Sequence, residues 1–186
     1  NFNYPREFEA WTRDVAGHME AVDSAVSRLV GFTPAQRIDV VVDDPYNEPN
    51  GSALPILGSP VLNFWPVPPS PREDIGNWRT WSEMLSVHEF AHLAHLMRPS
   101  RNPLDALLWK LAPAAVGPVA RKAPRWAIEG YATFVEGRIT GSGRPNGAWR
   151  AAVLRQWALE GHLPTYDQMS SWNAFDGGEL AYLAGS

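Results

Sequence analysis

Residues 88–92 read His-Glu-Phe-Ala-His, an H-E-x-x-H pattern in a stretch whose apolar spacing predicts a helix. Side chains four positions apart lie one above the other on the same face of a helix. His88 and His92 are therefore predicted to stand side by side, as two imidazole ligands of one zinc ion must, with Glu89 within reach of a water molecule on that ion. The pattern is short and needs a third ligand from elsewhere in the chain, so the fold must bring a second element against this helix.

Composition and charge narrow the class of protein. A chain of 186 residues with 45% hydrophobic residues fits a single globular domain. The absence of cysteine excludes disulfide scaffolds, thiolate metal sites and cysteine nucleophiles. A net charge of −4 without a basic stripe argues against nucleic acid as a partner. The longest apolar run, 104–120, is broken by a lysine and two prolines, so no transmembrane segment is predicted.

The first half of the chain predicts a small α/β unit. Apolar residues recur at three- and four-residue steps and predict a long amphipathic helix from near Pro5 to Gly31. The β-branched stretch Arg37–Asp43 predicts a buried strand. The extended region Ser52–Phe64 is interrupted at Gly58, as in a hairpin or a kinked edge strand.

The second half reads as helical. The H-E-x-x-H helix is predicted to start at Thr80 or Ser82 and to end before Pro99. The further predicted helices span 104–111, 125–138 and 145–160, and residues 177–186 read as the opening of one more. We therefore predict an α+β fold in one domain, 1–186, with an N-terminal α/β lobe at 1–78 and a helical zinc-binding lobe at 79–186.

Two types of residue compete for the role of third ligand. His95 lies seven positions after His88, about 10.5 Å along a helix, so both cannot bind one ion; His95 is predicted to support the site or the core. Glu129 and Glu136 lie seven positions apart on one face of an otherwise apolar predicted helix. Glu129 could bind the metal, and Glu136 could accept a hydrogen bond from a ligand histidine. The alternative is that both glutamates are ordinary solvated surface groups.

The combination of H-E-F-A-H with W-A-I-E-G-Y-A at 126–132 resembles the gluzincin branch of the MA-clan zinc metallopeptidases, which includes aminopeptidase N. That resemblance implies a thermolysin-like catalytic fold and one Zn²⁺ held by His88, His92 and Glu129. It also implies that Glu89 is the general base and that Tyr182, in a Y-x-x-G context, donates a hydrogen bond to the oxyanion. On this reading the chain is a zinc metallopeptidase acting on peptide or protein substrates.

Further details refine the resemblance. The segment 50–55 resembles the edge strand that lines the substrate cleft, and the overall spacing is closest to bacterial peptidase-MA-like domains found beside β-propeller repeats. This kinship implies an extracytoplasmic location and a β-propeller neighbour in a longer chain. Two features depart from aminopeptidase N. An insertion at 98–124 separates His92 from Glu129 and is expected to cover the cleft, and no G-A-M-E-N segment is present, which leaves the choice between endopeptidase and aminopeptidase open.

Two other classes of function compete with the peptidase. The chain could be a non-catalytic binding or scaffolding module that keeps the fold, although such a module has no need of Glu89. It could also be an interaction domain in which the H-E-x-x-H pattern is accidental. The glycine-rich stretch 141–147 nearly spells a phosphate-binding loop, but its spacing is off by one and no strand precedes it, so a flexible connection between helices is predicted there.

Overall fold

The computed structural model describes residues 1–70, 77–111, 117–171 and 180–186. Its strands and helices follow the order of the chain. The strands are β1 (Phe2–Asn3), β2 (Asp39–Val42), β3 (Gly51–Leu54) and β4 (Val61–Phe64). The helices are α1 (Glu9–Val30), α2 (Trp81–Leu96), α3 (Pro103–Leu111), α4 (Pro118–Lys122), α5 (Arg125–Thr140), α6 (Ala148–Glu160), α7 (Tyr166–Ser170) and α8 (Leu180–Ala184). Mixed α and β structure is confirmed, with the strands in the first third of the chain and helices after residue 80.

The four strands form one sheet in the order β1-β2-β4-β3. β1 and β4 run parallel to β2, whereas β3 runs antiparallel to β4 with Gly51 opposite Phe64. Alternation places Val40 and Val42 of β2, and Leu62 and Phe64 of β4, in the core. The predicted hairpin is thus confirmed, and it leaves β3 at the edge of the sheet.

The core lies where α1, the sheet, α2 and α5 meet. α1 contributes Val15, Val22 and Val26 from one face, as its amphipathic pattern predicts. α2 contacts α1, α5, β3 and β4, and nearly all its residues are buried. Because α2 is surrounded, its polar side chains must find partners inside the protein.

Most predicted elements have their counterparts at slightly shifted bounds. α1 ends with Gly31 in the left-handed conformation at φ 73°, as a helix C-cap glycine often does. The predicted helix over 145–160 divides into a short 3-10 turn, Arg144–Asn146, and α6. The two-residue β1 and the five-residue α4 and α7 were not predicted, since they are too short for a periodic pattern. The predicted last helix is represented by α8, and residues 177–179 of that prediction lie outside the described residues.

No described helix combines the length and the apolar character that crossing a bilayer requires.

Candidate metal centre

The two histidines of α2 project together into the interior. Thr80 precedes the helix in an extended conformation and Leu96 is its last residue, which matches the predicted bounds. His88 and His92 are both buried, and their ring centroids lie 4.9 Å apart. The i, i+4 spacing on a fully enclosed helix therefore gives a pair of adjacent imidazoles directed toward α5.

Glu129 of α5 completes a group of three potential ligands. Its Oε2 lies 3.3 Å from Nε2 of His92 and 3.9 Å from Nε2 of His88. Ligand atoms around a tetrahedral zinc ion with bonds of 2.0–2.2 Å are roughly 3.3–3.6 Å apart. These three residues are the group that could hold a metal ion among the residues the structure describes. The separation from His92 falls in this range and that from His88 exceeds it slightly, while the three ligand atoms all lie within 4.8 Å of one another, so the group could hold one such ion.

Glu136 lies about two turns further along α5 than Glu129 and orients the imidazole of His88. Nδ1 of His88 donates a hydrogen bond of 2.9 Å to Oε2 of the fully buried Glu136. With Nδ1 bonded to Glu136, Nε2 is the ring nitrogen that faces Glu129 and that a metal ion could bind once its proton is lost. The predicted hydrogen bond from His88 to Glu136 is confirmed, and the alternative of two solvated glutamates is wrong, since both are buried.

The charges of this group are strongly coupled. Burial alone would lower the pKa of His88, but the carboxylates of Glu129 and Glu136 outweigh it and raise the pKa to about 9. Burial opposes ionisation of Glu129 as well, yet the two imidazoles hold the pKa of this carboxyl well below its usual range. Burial raises the pKa of Glu89, against the opposing effect of both histidines. Without a metal ion, His88 is therefore a positively charged imidazolium at neutral pH.

We expect metal binding to strengthen as the pH rises. With the pKa of His88 at about 9, an ion that binds Nε2 must displace a proton at any lower pH. The apparent Zn²⁺ affinity should therefore increase about tenfold per pH unit between roughly pH 6.5 and 8.5. Titrations in chelator-buffered zinc at three pH values measure this slope, and an affinity that stays constant over the interval would contradict it.

Tyr182 of α8 lies beside the three ligands. Its ring centroid is 6.2 Å from that of His88, and the guanidinium of Arg144 stacks on the ring with Cζ 4.5 Å from the centroid. Burial and the nearby carboxylate of Glu129, to which the hydroxyl is hydrogen-bonded, raise the pKa of Tyr182. The hydroxyl consequently stays protonated at neutral pH and can act as a hydrogen-bond donor.

A contact between two glycines sets how closely α8 approaches α5. A Cβ atom on Gly130 would collide with the carbonyl of Gly185, and one on Gly185 would collide with the backbone oxygens of Ala181 and Trp126. Gly130 directly follows Glu129, and Gly185 lies three positions after Tyr182. The close contact of the two glycines therefore keeps the backbone that carries Glu129 near the backbone that carries Tyr182.

Substitution of Gly130 tests this contact. In Gly130→Ala we expect a loss of about 1–3 kcal/mol in unfolding free energy, because the added methyl group must displace the backbone at Gly185. Gly17→Ala is the matched control, since a Cβ on Gly17 in α1 meets nothing within 4 Å and should stabilise the helix by about 0.5–1 kcal/mol. Thermal unfolding of both variants gives the comparison. Equal stabilities in the two variants would show that the contact is loose.

A cleft of about 380 Å³ opens onto His88, His92 and Glu129, which together we call the metal group. The metal group and Glu89 line this cleft, and so does the edge strand β3 through Gly51, Ser52 and Ala53. Ala120 of α4, within the insertion at 98–124, also lines the cleft, and residues 112–116 of that insertion lie outside the described residues. Glu89 and β3, whose outer edge pairs with no other described strand, thus line the same space.

The remaining histidines lie apart from this group. His95 packs its ring on Tyr131 with centroids 4.4 Å apart, and burial lowers its pKa to about 4. It supports the packing of α2 against α5, in agreement with the prediction that it is not a ligand.

Sequence reasoning missed Arg144, which lies in the glycine-rich stretch 141–147. Its backbone N–H donates to Oε1 of Glu136 over 2.8 Å, and Nη1 lies 3.4 Å from Oε2 of the same carboxylate. Gly143 adopts φ 80°, and a side chain there would overlap Glu136. The stretch therefore packs against Glu136. A glycine directly followed by an arginine, Gly143-Arg144, was the sequence signal that could have indicated this contact.

Arg150 of α6 is a second contributor that the sequence did not indicate. Its guanidinium donates to the carbonyls of Leu183 and Ser186 over 2.8 and 2.9 Å. These bonds anchor the segment that carries Tyr182.

Comparison of the chain with protein-family models, curated proteins and solved structures gave no match.

Proposed function

We propose that this chain is a zinc-dependent metallopeptidase of the gluzincin type, with a thermolysin-like arrangement of its metal helix and edge strand. The observation that carries the proposal is the convergence of His88, His92 and Glu129, whose potential ligand atoms all lie within 4.8 Å of one another. A surface cluster of acidic groups would not support it, but these three side chains are buried and come from two separate helices. Zinc is favoured by two imidazoles and one carboxylate with a position left open.

The residues around the ligands match the needs of peptide hydrolysis. A zinc ion held here would polarise the scissile carbonyl and lower the pKa of a water molecule from 15.7 toward about 7. Glu89 accepts the proton of the attacking water and delivers it to the leaving amine, while the new C–O bond forms and the C–N bond breaks. Burial favours this proton transfer because it raises the pKa of Glu89.

Tyr182 and β3 supply two further requirements of peptide hydrolysis, a hydrogen-bond donor for the developing oxyanion and a strand edge that can bind the peptide. The protonated hydroxyl of Tyr182 donates a hydrogen bond to the carbonyl oxygen as negative charge develops on it. β3 pairs on one side with β4 and borders the cleft with the other, so an extended peptide can add to the sheet through backbone hydrogen bonds. Recognition through the backbone predicts broad sequence tolerance.

Metal removal and activity together test the proposal. We expect the purified protein to contain about one zinc ion per chain and to cleave an unstructured substrate such as casein. Cleavage should stop after treatment with a chelator and return on addition of Zn²⁺. Bound zinc without cleavage would favour a non-catalytic metal-binding module instead, and a protein that takes up no zinc would overturn both.

A further inference from the structure

Three leucines of the helix α3 lie on the surface. Leu104, Leu107 and Leu108 share one face at i, i+3 and i+4 spacing, and they are 71%, 52% and 62% exposed. A surface helix of a globular protein ordinarily directs this face toward the core. The three leucines therefore form an apolar ridge on the surface, which we call the leucine ridge.

The polar side of α3 is tied to the protein, which fixes the ridge in its outward direction. Oδ2 of Asp105 accepts a hydrogen bond of 3.3 Å from the hydroxyl of Ser100 and lies 3.6 Å from Nζ of Lys122. Asn102 caps the start of the helix through a bond of 2.9 Å from the N–H of Leu104 to its side-chain oxygen. Rotation of α3 to bury the leucines would break these contacts.

A cationic groove adjoins α3 through Lys122, which lines the groove and pairs with Asp105 of this helix. It has a volume of about 470 Å³ and runs between the loop after α2 and α4, lined by Arg98, Ser100, Arg101 and Lys122 among others. Lys122 remains 73% exposed despite its ion pair with Asp105. Residues 98–122 contain five basic residues and one acidic residue in a chain whose net charge is −4. Positive charge is thus concentrated beside the only described helix with such a ridge.

We propose that the leucine ridge and this groove dock the protein onto an anionic lipid surface. An apolar helix face flanked by lysine and arginine inserts its side chains at the level of the acyl chains, while the cations meet the phosphates of the headgroups. A second copy of the chain is a poorer occupant. Three leucine side chains expose only on the order of 300–400 Å², whereas a stable dimer buries about 1,200–2,000 Å² in total.

This inference does not depend on the peptidase chemistry, because none of the ridge or groove residues is a ligand of the metal group. It adds a location for the reaction. Ala120 of α4 lines the catalytic cleft, and Lys122 of the same helix lines the groove, so docking would hold the cleft close to the lipid headgroups.

Cosedimentation of the full chain with vesicles tests the proposal. We expect binding to phosphatidylglycerol vesicles that weakens with added salt, and much weaker binding to phosphatidylcholine vesicles. The triple variant Leu104→Ser, Leu107→Ser, Leu108→Ser should lose about tenfold or more in partitioning. The double variant Arg98→Gln, Arg101→Gln, which leaves the ion pair of Lys122 with Asp105 intact, should lose about 30-fold on the anionic vesicles alone.

Two leucines elsewhere provide the control. Leu159 and Leu163 are 77% and 59% exposed, so their replacement by serine removes about three quarters of the apolar area that the ridge variant removes, without touching the ridge. This variant should bind anionic vesicles like the wild type, with unchanged thermal unfolding in all variants. Failure of the wild type to bind the anionic vesicles, or equal binding by the ridge variant, would overturn the proposal. A wild-type dimer on gel filtration that becomes a monomer in the ridge variant would also overturn the proposal, since the ridge would then contact a second copy of the chain.

Discussion

Glu89→Gln should retain the metal and lose hydrolysis. The amide keeps the size of the buried side chain but cannot accept the proton of the attacking water, so we expect kcat to fall by about 10²–10⁴-fold. Metal content should stay at the wild-type level, because Glu89 is not among the three convergent ligands. The two quantities are measured on one preparation, by elemental analysis and by cleavage of a quenched fluorescent peptide.

The same helix offers a control for this substitution. Glu83 lies in the first turn of α2, outside the residues that line the cleft, so Glu83→Gln should leave both metal content and cleavage unchanged. Wild-type turnover in Glu89→Gln would exclude this residue as the general base. Loss of metal together with activity would instead assign Glu89 a role in binding.

Glu129→Gln should weaken metal binding strongly. Apparent binding energies of about 10–16 kcal/mol for four-ligand zinc sites correspond to about 3–4 kcal/mol per ligand, or roughly a 10²–10³-fold loss in affinity when one is removed. Glu136→Gln should cost less, about 10–100-fold, because that residue acts on the ion only through the imidazole of His88. Competition with a zinc chelator measures both losses on one scale.

The order of the two effects is the informative result. A larger loss in Glu136→Gln than in Glu129→Gln would mean that the orientation of His88 matters more than the carboxylate between the histidines. Equal affinities in Glu129→Gln and the wild type would remove Glu129 from the metal group. The proposed gluzincin assignment would fall with it, since that assignment depends on a glutamate as third ligand.

Helical periodicity is the reason that much of this centre could be predicted. The i, i+4 spacing placed His88 and His92 together, and the seven-residue spacing placed Glu129 and Glu136 on one face. Both relations depend only on the geometry of a single helix. The meeting of the two faces followed from the need to pair buried polar groups, and the bond between His88 and Glu136 confirms that reasoning.

Contacts made by irregular backbone could not be predicted in the same way. Arg144 reaches Glu136 because Gly143 adopts a left-handed conformation, and no periodic pattern encodes that turn. The approach of α8 to α5 depends on Gly130 and Gly185 lying opposite each other, a long-range relation that spacing along the chain does not reveal. The outward face of α3 is a further case, since periodicity defines an apolar face but not what lies against it.

The buried carboxylates described above also determine which ions the interior can hold. Glu89, Glu129 and Glu136, when ionised, contribute three negative charges that Arg144 and a protonated His88 offset only in part, leaving one in excess. A divalent ion that displaces the proton from His88 brings the formal charge of this group to zero. A monovalent ion in its place would leave one negative charge, and a trivalent ion would leave one positive charge. Uncompensated charge is costly away from water, so we expect a metal ion held by this group to be divalent rather than monovalent or trivalent.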